Sequence, residues 1–80
     1  MKIQLLFFAE LREIFGAARF LDVPEGTSIG DIAGQLTGSS EKFASKSWPL
    51  LYAVNENFET AEKQLRDGDQ LALMMPMSGG

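Results

Sequence analysis

The sequence closes on Ser78-Gly79-Gly80, where the reactive group that no side chain crowds is the α-carboxylate of Gly80. Other chemistry is scarce. The chain has no cysteine and no histidine, which removes thiol nucleophiles, persulfides, imidazole bases and most metal-ligand sets. Glu10 with Glu13, and Asp67 with Asp69, are candidate carboxylate pairs for acid/base work, but nothing in the pattern places either in a cleft. Asp67-Gly68-Asp69 is better explained as turn chemistry. Gly16, Gly26 and Gly30 lack the spacing and the following lysine of a phosphate-binding loop. No metal and no bound cofactor is therefore expected of this chain. The Gly80 carboxylate is the expected functional group, with Gly79 and Ser78 as its narrow approach. A side chain at position 79 or 80 would obstruct entry through a channel to a buried active site. Terminal glycines can also mean nothing, since chain ends are commonly disordered. Their position, after a strand and after Pro76 has released the chain, favours function.

The rest of the sequence has to present that carboxylate. Eighty residues with 45% apolar and 22% charged side chains suit one small globular domain. A net charge of −4 and a pI near 4.6 argue against nucleic acid and against an anionic membrane surface. A basic protein partner suits that charge better. The apolar stretch in Met1–Glu10 is too short for a signal peptide, Gln4 and Glu10 bracket it, and no small-residue cleavage site follows. No stretch reaches transmembrane length. The absence of cysteine fits a reducing cytosol, and without a signal peptide or membrane span in the sequence a cytoplasmic location is expected.

Alternation predicts a strand over 2–8, with Ile3, Leu5 and Phe7 on one face and Gln4, Leu6 and Phe8 on the other. A short helix over 9–15 with Gly16 as its stop comes next, then a strand over 19–23 ended by Pro24-Glu25-Gly26. The clearest helix starts at Ser28, with Asp31 completing a capping box and Thr27 as the rival cap. Ile29, Ile32, Ala33 and Leu36 form its apolar stripe, and Gly38 is expected to close it. The 39–49 stretch reads as a loop or one irregular turn. A strand over 50–55, a turn at Glu56-Asn57, a mixed segment over 58–65 and a last strand over 70–75 complete the order. The domain is thus expected to span 1–75, with 76–80 as a mobile tail. Strands and helices in this order predict an α+β domain.

Both faces of the strands carry apolar residues, and one helix covers only one face. Leu6, Phe8, Phe20 and Met74 are either covered by the short helix or the 39–49 loop, or exposed as a patch for a partner. The expected docking set is Leu6, Phe8, Met74, Met75, Pro76 and Met77, in which the methionines suit an adaptable surface.

Leu6-Phe7-Phe8-Ala9-Glu10-Leu11-Arg12-Glu13, Ala53-Val54-Asn55, Asp67-Gly68-Asp69 and Pro76-Met77-Ser78-Gly79-Gly80 together resemble the small subunits of molybdopterin synthase. The likeness runs over nearly the whole chain. It implies a ubiquitin-like β-grasp fold, a mixed sheet with the main helix on one face. It also implies a cytoplasmic sulfur carrier within a heterotetrameric synthase. An adenylyltransferase related to ubiquitin-activating enzymes would spend ATP on the Gly80 carboxylate, and sulfur would replace AMP to give a thiocarboxylate. The large synthase subunit would then take that sulfur for cyclic pyranopterin monophosphate. Carriers for thiamine or for transfer-RNA thiolation, and ubiquitin-like modifiers that join Gly80 to lysines, remain alternatives.

Overall fold

Alternation along Lys2–Phe7 decides how the domain is built. In the computed structural model, which describes residues 1–39 and 50–75, this segment is strand β1. Ile3, Leu5 and Phe7 are buried, while Gln4 and Leu6 on the other face are only partly covered. Helix α1 (Glu10–Phe15) and strand β2 (Ala18–Asp22) follow, then helix α2 (Ile29–Ser39), β3 (Leu51–Val54), β4 (Asn57–Glu59) and β5 (Gln70–Met74). The described residues form a five-stranded sheet ordered β2-β1-β5-β3-β4. β1 and β5 pair parallel and the other neighbours antiparallel, so the sheet is mixed, as expected.

The capping box sets the start of α2. The Asp31 N–H donates to Ser28 Oγ at 3.2 Å, and the Ser28 N–H donates to Asp31 Oδ2 at 3.0 Å. Thr27 does not cap; it is buried and its hydroxyl donates to the Pro24 carbonyl at 2.7 Å. The α2 stripe of Ile29, Ile32 and Leu36 joins Ile3, Leu5, Phe7, Leu71 and Leu73 in one buried cluster. The helix therefore lies on one face of the sheet.

One expectation about α2 and one about the hairpin need revision. Gly38 does not close the helix, which runs through it to Ser39; a glycine stop needs a left-handed φ, and Gly38 does not adopt one. Glycine inside a helix is ordinarily a weakness, but Gly30 has a reason to be glycine. A Cβ there would meet the Ala61 carbonyl oxygen at 3.2 Å, and the Gly30 N–H donates to that same oxygen at 2.9 Å. The residues after β4 thus satisfy the first turn of α2, and their mixed sequence character reflects that role. Gly34, by contrast, faces open space. Gly34→Ala should stabilise the fold by about 1 kcal/mol and Gly30→Ala should not, a difference readable by urea denaturation. The β3–β4 turn sits at Asn55-Glu56, one residue earlier than expected, with φ of 49° and 73°. Both central residues of such a turn must be left-handed, which asparagine tolerates, and Asn57 is thereby freed to pair with Val54.

Asp67-Gly68-Asp69 is turn chemistry, as its sequence suggests. Gly68 takes φ +86°, and Asp69 Oδ2 accepts from the Arg66 N–H at 2.8 Å. Asp67 Oδ1 accepts from the Lys2 N–H at 2.6 Å, and Asp69 Oδ1 from Asn55 Nδ2 at 2.9 Å. One turn thereby ties together the starts of β1 and β5 and the β3–β4 hairpin. The 40–49 part of the uncertain stretch and the 76–80 tail lie outside the described residues. Among those described, no helix is long and apolar enough to cross a membrane.

Candidate functional site

The strand registers place a continuous apolar row on the sheet face away from α2. Ala18, Leu6, Ala72, Ala53 and Phe58 stand side by side across the five strands. Met74 lies opposite Leu51 on one side of this row, with Phe8 just beyond the end of β1. On the other side Gln4 stands between Phe20 and Gln70, and Gln70 Nε2 donates to Gln4 Oε1 at 3.0 Å. Phe58, Phe20, Phe8 and Leu51 are 73%, 61%, 46% and 42% exposed. Four large apolar side chains uncovered on one sheet face are what a docking surface requires.

Small residues flanked by large ones give the face its relief. Ala53 and Ala72 floor a concavity of about 300 Å³, walled by Leu6, Phe8, Phe58 and Met74. Glu56 and Gln70 close the end nearest the hairpin turn. Lys2 Nζ lies 5.1 Å from the Phe20 ring centroid and holds that aromatic at the sheet's edge.

Leu6, Phe8 and Met74 come together here, as the sequence suggests, and Phe20 shares their face. Met75 does not; strand alternation turns it the other way, and it packs partly buried against the core cluster. Pro76, Met77, Ser78, Gly79 and Gly80 lie outside the described residues, directly after β5 and Met75. Leu51 and Phe58 belong to the face but were not among the expected docking residues. Their signal was parity: across a two-residue turn Leu51, Ala53 and Phe58 fall on one side.

Glu10 and Glu13 are exposed on α1. Asp67 and Asp69 are engaged in the turn, and among the described residues no group of acidic side chains could hold a metal. Burial pushes the Tyr52 phenol above its ordinary pKa, so it stays neutral on the helix side of β3. The Thr60 side chain and the residue's own backbone hydrogen-bond the Glu62 carboxylate and lower its pKa.

The turn at the end of the concavity carries strain. Glu56 holds φ 73° where glycine is preferred, a left-handed conformation that costs a side-chain-bearing residue about 1–2 kcal/mol. Glu56→Gly should stabilise the fold by about 0.5–1 kcal/mol after the unfolded-state entropy of glycine is counted. In a domain of this size that is about 2–8 °C in thermal midpoint, measurable by circular dichroism.

A model of the ThiS family matches residues 5–80. The chain belongs to the ThiS family. Among the relatives of this ThiS-family chain is the molybdopterin synthase sulfur carrier subunit of Drosophila ananassae, 36% identical over all of this chain and 92% of that protein. The sulfur carrier subunit of Escherichia coli is 29% identical, over 98% of this chain and 99% of its own length. Solved structures share the fold. Small archaeal modifier protein 1 of Haloferax volcanii superposes with a TM-score of 0.80 at 22% identity, covering 95% of this chain and 98% of its own. The complex of subunits 1 and 2 of the Helicobacter pylori molybdopterin-converting factor gives 0.69 at 20%, with both chains fully covered. Caldiarchaeum subterraneum ubiquitin gives 0.61 at 18%, over 100% of this chain and 98% of that one. The ThiS-family chain is thus a ubiquitin-like β-grasp domain, the fold expected from its sequence.

Proposed function

We propose that this protein is the sulfur carrier subunit of a molybdopterin synthase, holding its sulfur as a thiocarboxylate on Gly80. The reading is carried by relatives of that name that align over essentially their whole length with this chain. An open apolar face directly before the 76–80 segment supports it, because a carrier must dock before it delivers.

A carboxylate is a poor electrophile, so one of its oxygens must first become a leaving group. A partner adenylyltransferase related to ubiquitin-activating enzymes does this with ATP: the Gly80 oxygen attacks the α-phosphorus and pyrophosphate departs. A sulfur nucleophile then adds to the acyl carbon and AMP leaves. The thiocarboxylate that results is a good nucleophile, and seating the 76–80 segment in the large subunit places it beside cyclic pyranopterin monophosphate. ATP belongs to the activating partner; this chain contributes the acyl group and the docking face. A cytoplasmic location belongs to the same proposal.

Co-expression with the adenylyltransferase and a sulfur source, followed by intact mass analysis, tests the proposal. The expected product has one oxygen exchanged for sulfur at Gly80 and forms molybdopterin when mixed with the large subunit. A chain that is adenylated but appears only as an adduct on substrate lysines would make it a protein modifier instead. A thiocarboxylate inert towards the pyranopterin but active in thiamine or transfer-RNA thiolation would move it to a related carrier.

A further inference from the structure

The β3–β4 ladder fixes the turn at Asn55-Glu56 but nothing in it calls for a glutamate there. Glu56 occupies a left-handed turn position that favours glycine, and no hydrogen bond or ion pair of its side chain occurs among the described residues. Backbone strain that the fold does not reward tends to be retained for function. The residue stands at one end of the concavity over Ala53 and Ala72, the one carboxylate among its otherwise apolar or amide lining. Gln70 lies beside it; with its Nε2 given to Gln4, its Oε1 is left as an acceptor.

We propose that this concavity is a slot for one arginine side chain of a docking partner. The inference rests on the open face being the docking face of the carrier. The alanine floor accepts the methylene stem, which buries well against apolar surface while its head reaches a polar group. The Glu56 carboxylate and Gln70 Oε1 present several acceptors to a planar, many-donor guanidinium, and the exposed Phe58 ring offers it a stacking surface. Lysine, a compact point charge, would use the carboxylate and leave the ring and the amide largely unused. The chain's net charge of −4 favours a basic partner surface as well.

The test titrates the ¹⁵N-labelled protein with acetyl-arginine amide, acetyl-citrulline amide and acetyl-norleucine amide. The arginine compound should shift the amides of Glu56, Phe58 and Ala72 saturably. The citrulline compound, equal in shape but uncharged, should bind about fivefold more weakly, and Glu56→Gln should erase that difference. Equal shifts from all three compounds, or no shifts, overturn the slot. Concentration-dependent shifts of the same amides without any added compound identify a second copy as the occupant and overturn it too. A second arm uses the large subunit from the same organism. Glu56→Gly should raise the thermal midpoint yet weaken association and flatten its salt dependence, a split that a purely structural residue would not produce. If the arginine arm succeeds while Gly80 never gains sulfur, the slot stands and the carrier reading falls; the opposite pair of results reverses both.

Discussion

Removing Gly80 is expected to abolish sulfur transfer and leave the domain as stable as before. Among the described residues the buried core lies between Ile3 and Leu73. Glycine brings no side chain to a core, and the effect of the deletion on stability should stay within about 0.5 kcal/mol. Activity depends on something else, the reach of the acyl carbon. One residue of extended chain spans about 3.5 Å. A misplacement of about 1 Å in a reacting group can already cost about 100-fold, so a full residue should silence the carrier. One added residue beyond Gly80 fails for a different reason: its carboxylate arrives where the pocket accepts only glycine. Gly79→Ala should fall between, because a methyl group restricts the backbone and thickens the approach. A reconstituted synthase assay with the large subunit reads all three variants, and thermal melts supply the control. Molybdopterin formed at the normal rate by the Gly80 deletion would overturn the carrier proposal.

Much of the fold was legible because its local signals agree with its packing. Ser28 and Asp31 write a capping box that forms, the α2 stripe is the helix's buried face, and Asp67-Gly68-Asp69 makes the turn that its residue types require. The failures share a cause, since each is settled by a neighbour distant in sequence. Gly30 looks like a defect until the Ala61 carbonyl is seen to need the space. The 58–65 stretch has no clean period because its backbone serves α2: the Ile29 N–H donates to the Lys63 carbonyl, and the Leu65 N–H to that of Thr27. The turn was misplaced by one residue because Glu56 is common to both candidates and Asn55 tolerates a left-handed conformation as well as Asn57. The ladder, which pairs Val54 with Asn57, decides between them. Leu51, Ala53 and Phe58 share a side under either turn; what the sequence lacked was the place of β3 beside β5, which puts them next to Met74 and Ala72. The chemistry proposed for the terminal glycines rests on composition, whereas the open face proposed to dock the carrier emerges only with the strand order.

Phe7 and Phe8 are adjacent in sequence, and their substitution should fail in opposite ways. Phe7 is 2% exposed and stacks on Phe15 at 5.0 Å between ring centroids, under the helices. Phe7→Ala removes that ring and leaves a cavity, which typically costs about 3–5 kcal/mol. A small domain has only about 5–15 kcal/mol of stability in all, and at about 4–8 °C per kcal/mol this variant should melt about 12–40 °C below the parent. Phe8 points to the other face, where it walls the concavity beside Leu6 and Met74 and remains nearly half exposed. Phe8→Glu should keep the native circular dichroism spectrum and melt close to the parent. It should nonetheless lose about 30-fold or more in affinity for the large subunit, since an aromatic anchor is gone and a carboxylate must be desolvated in its place. Phe58→Glu, on the same face at the exposed edge, should repeat the pattern and separate a shared surface from a single contact. Calorimetric titration against the large subunit, run beside melts of each variant, measures both quantities. If Phe8→Glu binds with the parent's affinity, the open face is not where the carrier docks. If Phe7→Ala melts with the parent, the assignment of the two faces is itself reversed.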